Sequence, residues 1–191
     1  MMRVLFLRQE PSSRARVHAT ALTAGRAEME LALARQGAPG GEGIGREWQL
    51  GDRPARGLRE VIAEFAPDVV HSYGPSGELT VCVNELTAGR LPVVHDLSGR
   101  RRFSGDPEIE GRAIEESAAL VVASQVLLDQ LAADHTLPLL TMVFPSYPPA
   151  RELVAADRNM SAEANIDRLA ALYQGLAREP MAGLAAELRG H

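Results

Sequence analysis

Short apolar runs alternate with helical stretches about six times along this chain, and that alternation limits the folds open to it. The runs are residues 3–7, 46–50, Val69–Tyr73, 91–95, 119–123 and 139–144. They are too short for buried helices, rich in Val and Leu, and bounded by Gly, Pro or polar residues, as buried strands are. Between them, residues 16–35 are rich in Ala, Leu, Met and Glu and read as one helix, ended by the breakers Gly37, Pro39 and Gly40. Leu58, Val61, Ile62 and Phe65 fall at i, i+3, i+4 and i+7 of a second helix, which Pro67 stops. Further helices fit residues 78–88, 108–117 and 125–133. Strands joined by helices give a parallel sheet through right-handed crossovers, so the expected class is α/β, a Rossmann-like parallel sheet flanked by helices.

Residues 150–191 carry no strand signal. Ile166, Leu169, Leu172, Tyr173 and Leu176 trace an amphipathic helix over residues 161–177, with Ser161 or Asn159 as candidate cap, and Pro180 breaks it. The expected organisation is therefore a Rossmann-like domain over residues 1–149 and a C-terminal helical extension over 150–191 that packs on it.

Composition removes several function classes. The net charge of -5 argues against a nucleic-acid partner, which demands excess cations. All 20 cationic side chains are Arg, so neither a lysine Schiff base nor a phosphate-loop lysine is present. Cys82 is the single cysteine and reads as a small core residue; a cysteine-rich metal site is excluded and no metal is expected. No apolar run reaches the length of a transmembrane segment, and a cytoplasmic location is the expectation. The loop after the first strand, residues 8–14, lacks the glycines of a dinucleotide fingerprint, and no cofactor is expected.

Candidate functional residues gather at the predicted strand ends, where open parallel sheets bind ligands. His71, Ser72 and Tyr73 end one strand; Gly74-Pro75-Ser76-Gly77 follows and opens a helix whose N–H groups could face an anion. His95 and Asp96 end the next strand, and His95 is the candidate acid–base residue. Neighbours on a strand point to opposite faces, so His95 and Asp96 need not touch. Ser124 follows a third strand. The ligand-binding set is thus His71, Tyr73, Gly74, His95, Asp96 and Ser124; turn and cap duties are the competing explanation. Arg100-Arg101-Arg102-Phe103 reads as a solvated basic loop, with anionic surfaces as the competing role. Glu108 and Glu116 belong to a helix dense in glutamates and read as a solvated face.

Several segments together resemble a known family. Ala66-Pro67-Asp68-Val69-Val70-His71-Ser72-Tyr73-Gly74 resembles the "kPDvvHshg" strand of the family-four glycosyltransferases of GT-B fold. Leu91-Pro92-Val93-Val94-His95-Asp96 is similar to their next strand. Residues 108–124, with Glu116, Ala118 and Val121-Val122-Ala123-Ser124, resemble their "E…a..aD.vi..S", Ala119 standing for the Asp. Residues 164–173 resemble the terminal helix of the full-length enzymes, which crosses back onto the N-terminal domain. The first loop departs from the family by lacking glycine, and Ser146-Tyr147 replace its Asn-Gly.

The resemblance implies half of a GT-B fold, the acceptor side, over residues 1–149, with no donor-binding domain. It implies an acceptor-binding or partner subunit that binds no sugar nucleotide of its own. Its partner would be a donor-domain glycosyltransferase subunit or a second copy, and its ligand a sugar or lipid-linked acceptor. Two competing readings are a non-catalytic scaffold or oligomerisation module, and a small enzyme of unrelated chemistry in the same cleft. Tyr73, Pro75, Leu97, Phe103, Pro145, Tyr147 and Pro148 are expected to form an apolar face that such a partner covers.

Overall fold

In the computed structural model, residues 1–25, 28–39, 43–97, 106–144 and 155–177 are described. The elements run β1 (Met2–Arg8), α1 (Ser13–Gly25), β2 (Met29–Arg35), β3 (Glu47–Gln49), α2 (Pro54–Phe65), β4 (Val69–Tyr73), α3 (Gly77–Thr87), β5 (Val93–Leu97), α4 (Pro107–Glu115), β6 (Ala119–Val122), α5 (Gln125–Asp134), β7 (Thr141–Val143) and α6 (Ala155–Leu176). The strands form one seven-stranded sheet in the order β3-β2-β1-β4-β5-β6-β7, every pair parallel. This is the α/β, Rossmann-like class expected from the sequence.

Strand order reverses beside β1. The chain moves outward through β2 and β3, then returns across β1 to place β4 on its other side. The carboxyl ends of β1 and β4 therefore flank the topological switch point, where open sheets leave a crevice.

Side chains alternate between two cores. Val4, Phe6, Leu31, Leu33, Val69, Val94 and Val121 pack with Ala15, Ala19 and Leu22 of α1 and with Ile166, Leu169, Leu172 and Tyr173 of α6. Leu5, Leu7, Ala32, Ala34, Val70 and Val93 point to the other face, against Leu58, Val61, Ile62 and Phe65 of α2 and Leu79 and Val83 of α3. A third cluster joins Leu97, Leu120 and Val122 to Ile114, Leu127 and Leu131 under α4 and α5. Helices thus cover both faces.

One sequence expectation is corrected. Residues 16–35 are not a single helix: α1 ends at Gly25 and residues 29–35 are strand β2. Met29, Glu30, Leu31 and Ala32 favour helix in isolation, but β2 lies between β1 and β3 and is hydrogen-bonded along both edges. Its Leu-Ala-Leu-Ala core alternates large and small side chains between the two faces, a period of two that the helix-forming composition hides. The strand at residues 46–50 is present as β3.

The expected apolar face is also altered. Tyr73 and Leu97 are 2% and 1% exposed, so they belong to the cores and not to a surface patch. Pro75 is half-buried, and Phe103, Pro145, Tyr147 and Pro148 lie outside the described residues, as do Arg100, Arg101 and Arg102. Among the described residues no helix is long and apolar enough to cross a membrane.

Candidate functional site: a buried charge network at the strand ends

The sheet sorts the candidate residues by face. His71, Tyr73 and Asp96 point to the α1/α6 face; Ser72 and His95, paired across β4 and β5, point to the other. His95 and Asp96 are both fully buried but serve separate networks.

On the α1/α6 face Asp96 is the anchor. Its Oδ2 accepts from Arg14 Nε at 2.8 Å, and Arg14 Nη1 donates to the Phe144 carbonyl oxygen at 2.9 Å. His71 Nε2 lies 3.3 Å from the same Asp96 oxygen. His71 Nδ1 shares a hydrogen with the Tyr173 hydroxyl of α6 at 2.5 Å, and His18 Nδ1 with the Tyr73 hydroxyl at 2.9 Å. The His71 ring stacks on Tyr73, centroids 4.1 Å apart, and Phe6 meets both rings edge-on. Arg14 and His18 are four apart on α1, so one helical face delivers both to the sheet. Within this network Arg14 Nη2, His71 Nε2 and Asp96 Oδ1 are buried and have no hydrogen-bond partner of good geometry.

Burial sets the protonation states. Burial alone would raise the Asp96 carboxyl, but Arg14, then His71 and His18, outweigh it and hold it at about 2. Burial pushes His18 down to about 3 against the pull of Asp96. His71 is lowered for the same reason, burial outweighing its contact with Asp96. Burial first, then the neighbouring phenol, raises Tyr73; burial likewise raises Tyr173. At neutral pH the network is one Arg–Asp ion pair among neutral imidazoles and phenols.

The opposite face carries a chain of neutral hydrogen bonds. Thr80 Oγ1 donates to Ser72 Oγ at 2.9 Å and lies 3.1 Å from His95 Nδ1; Ser72 Oγ meets Ser76 Oγ at 2.5 Å. Burial lowers His95 to about 4. Ser76, the residue before α3, spends its hydroxyl on Ser72 and on the Tyr73 carbonyl rather than on the helix N-terminus. Gly74 takes φ +73°, a left-handed turn natural only to glycine, and its N–H donates to the Asp96 carbonyl oxygen at 2.9 Å. Ser124 is exposed and accepts from Leu127 N as the N-cap of α5.

The structure therefore brings His71, Tyr73 and Asp96 together, sets His95 beneath them on the other face, and places Ser124 at a helix cap. Arg14, His18 and Tyr173 complete the network without having been singled out. Ser13-Arg14-Ala15 opens a helix directly after the first strand, and a polar residue there in an α/β fold faces the strand ends; that was the available signal for Arg14 and His18. Tyr173 gave only its amphipathic spacing.

Breaking the ion pair has a defined expected cost. Asp96→Ala leaves the Arg14 guanidinium buried without its anion, and about 3–5 kcal/mol of stability should be lost, read from urea unfolding. Replacing both partners, Arg14→Leu with Asp96→Leu, removes the stranded charge and should recover much of that loss. A single Asp96→Ala variant within 1 kcal/mol of the parent would show that the pair is solvated.

No family model matches the chain, and no curated protein matches its sequence. The fold does have relatives among solved structures. It is similar to a UDP-N-acetylglucosamine 2-epimerase from Rickettsia bellii, at TM-score 0.56 and 14% identity, over 76% of this chain and 45% of that one. It is similar also to the UDP-GlcNAc 2-epimerase from Neisseria meningitidis bound to UDP-GlcNAc, at TM-score 0.54 and 12% identity, over 91% of this chain and 52% of that one. The likeness is one of fold, a GT-B-like Rossmann half, and the chain spans about half the length of each.

Proposed function

We propose that this chain is the acceptor-side or partner half of a glycosyl-transferring assembly, and that the sugar nucleotide is held by another domain or another chain. The observation that carries the reading is the inward-turned strand-end network. In a Rossmann-like half a ligand is expected at the switch point, yet here Arg14, His71, Tyr73 and Asp96 bond to one another and to α6. Among the described residues the cation of this network, Arg14, is spent on Asp96 and the Phe144 carbonyl, which supports a reading in which the positive charge on the leaving diphosphate comes from another domain or chain. The family-four resemblance over residues 66–74, 91–96 and 108–124 and the fold shared with UDP-sugar epimerases both support glycosyl chemistry as the setting.

Calorimetry of the purified chain with UDP-GlcNAc, UDP-glucose and GDP-mannose tests this, and no binding tighter than the millimolar range is expected. Micromolar binding of any of them would overturn the reading. A scaffold role is the second reading, favoured by the Tyr173–His71 bond, since it places α6 where a ligand would sit. Light scattering and pull-down separate the two. The partner-subunit reading expects association with a donor-domain protein, and self-association alone would favour the scaffold.

A further inference from the structure

We propose that His18, His71 and Asp96 form a binding site for a divalent transition-metal ion, with zinc as the ion best suited to it. One ligand atom from each residue lies within 4.8 Å of the others, and all three side chains are buried. The inference does not depend on the glycosyl reading of the fold.

Four observations carry it. The first is the donor set. Two imidazoles and one carboxylate suit zinc and its first-row neighbours, and are a poor match for magnesium or calcium, which prefer all-oxygen shells. The second is spacing. Donors about 2.0–2.1 Å from a tetrahedral ion lie about 3.3 Å apart; His71 Nε2 and Asp96 Oδ2 are 3.3 Å apart already. The third member has to close in by up to about 1.5 Å, within the reach of a side-chain rotation. The third observation is what surrounds the donors. Each histidine meets a tyrosine hydroxyl at Nδ1, Tyr73 for His18 and Tyr173 for His71, and Asp96 Oδ2 is held by Arg14. Outer partners of this kind fix ring orientation and tautomer at metal sites. With an ion bound, His71 would carry its proton on Nδ1 toward Tyr173 and turn its Nε2 lone pair to the centre of the cluster. The fourth is the missing partners. Asp96 Oδ1 is buried without a hydrogen bond, and His71 Nε2 has only the Asp96 oxygen at 3.3 Å, a cost that native structures rarely leave standing.

Full burial selects an ion over an organic ligand. A sugar or phosphate needs a cavity and a mouth, whereas a metal ion needs only the space between its donors. Arg14 works against the ion through its charge, so the site should bind less tightly than one with a second carboxylate. The ion would tie α1 to β4 and β5 and hold the core that α6 completes, a structural duty.

The test uses the full chain, stripped of metal with a chelator and titrated with Co2+ as a visible-absorption probe, then with Zn2+. One equivalent of Co2+ should produce visible d–d absorption, Zn2+ should displace it, and Zn2+ should raise Tm by several degrees, reversibly with EDTA. His18→Ala and His71→Ala should abolish the bands, and His135→Ala, which alters a histidine away from the cluster, should leave them intact. The wild-type titration does not depend on any variant folding: less than a tenth of an equivalent bound overturns the proposal. So does Co2+ absorption that persists in a folded His18→Ala protein, which would place the ion elsewhere on the chain.

Discussion

Ending the chain at residue 149 should abolish the cooperative thermal transition or lower Tm by more than any single substitution. α6 buries Ile166, Leu169, Leu172 and Tyr173 in the same core as Val4, Phe6, Val69 and Val94 of the sheet, and Leu176 packs at its margin. Arg168 adds a guanidinium 5.1 Å from the centre of the Phe144 ring. Single truncations at such positions, Leu169→Ala or Tyr173→Ala, should each cost about 2–5 kcal/mol, because lost transfer energy and a cavity add together. A domain holds only about 5–15 kcal/mol in total, so losing the whole helix removes a large share of it. The shortened chain would also expose Phe6 and Val69 and leave His71 without Tyr173, favouring a compact state with fluctuating packing. Near-ultraviolet circular dichroism and a thermal melt check this. An unchanged Tm would mean that α6 contributes nothing to the core.

Acid should begin to destabilise the metal-free protein below about pH 6.5, well above the pH at which carboxylates usually titrate. In the folded chain burial holds His18 at about 3 and His95 at about 4, and lowers His71 as well, against an ordinary value of 6.5. Between the folded and the unfolded pKa the unfolded chain carries a proton that the native state refuses, so stability falls as pH falls. It is fully present above about pH 6.5 and declines by about 1.4 kcal/mol per pH unit for each titrating histidine, about 3 for His18 and His95 together, with His71 adding in the same direction. Asp96 adds a slope of the same sign lower down, between its ordinary 3.8 and about 2. Urea midpoints at pH 7.5, 6.5, 5.5 and 4.5, with EDTA present, should drop progressively below pH 6.5, with unfolding complete without denaturant near pH 4. His95→Gln should flatten the slope, since it removes one of these titrations. Midpoints constant from pH 7.5 to 4.5 would show that these rings are hydrated.

Both expectations rest on contacts that differ in how far the sequence announces them. β4, from Val69 to Tyr73, is legible because the β-favouring Val69, Val70 and Tyr73 stand between Pro67-Asp68 and Gly74-Pro75, and local backbone preference settles such a segment within ten residues. The amphipathic spacing of Ile166, Leu169, Leu172 and Tyr173 is legible for the same reason: helical periodicity is a property of a few successive turns. β2 is the counterexample, because Met29–Arg35 has helix-forming composition and becomes a strand only between β1 and β3.

By itself the sequence determined that short buried strands alternate with helices, that the sheet is parallel, and that His71, Tyr73, His95 and Asp96 belong to two successive strand segments; the structure sets His71 and His95 in the middle of β4 and β5, which runs on to Leu97. Only the tertiary structure decided which of them meet. Asp96 joins Arg14 across 82 residues and His71 joins Tyr173 across 102, whereas His95, next to Asp96 in the chain, belongs to the opposite face. The physical reason is that periodicity fixes which side of its own element a residue occupies, while strand order and register fix its neighbours. Those follow from how the whole chain buries its apolar area, a sum that no short window contains.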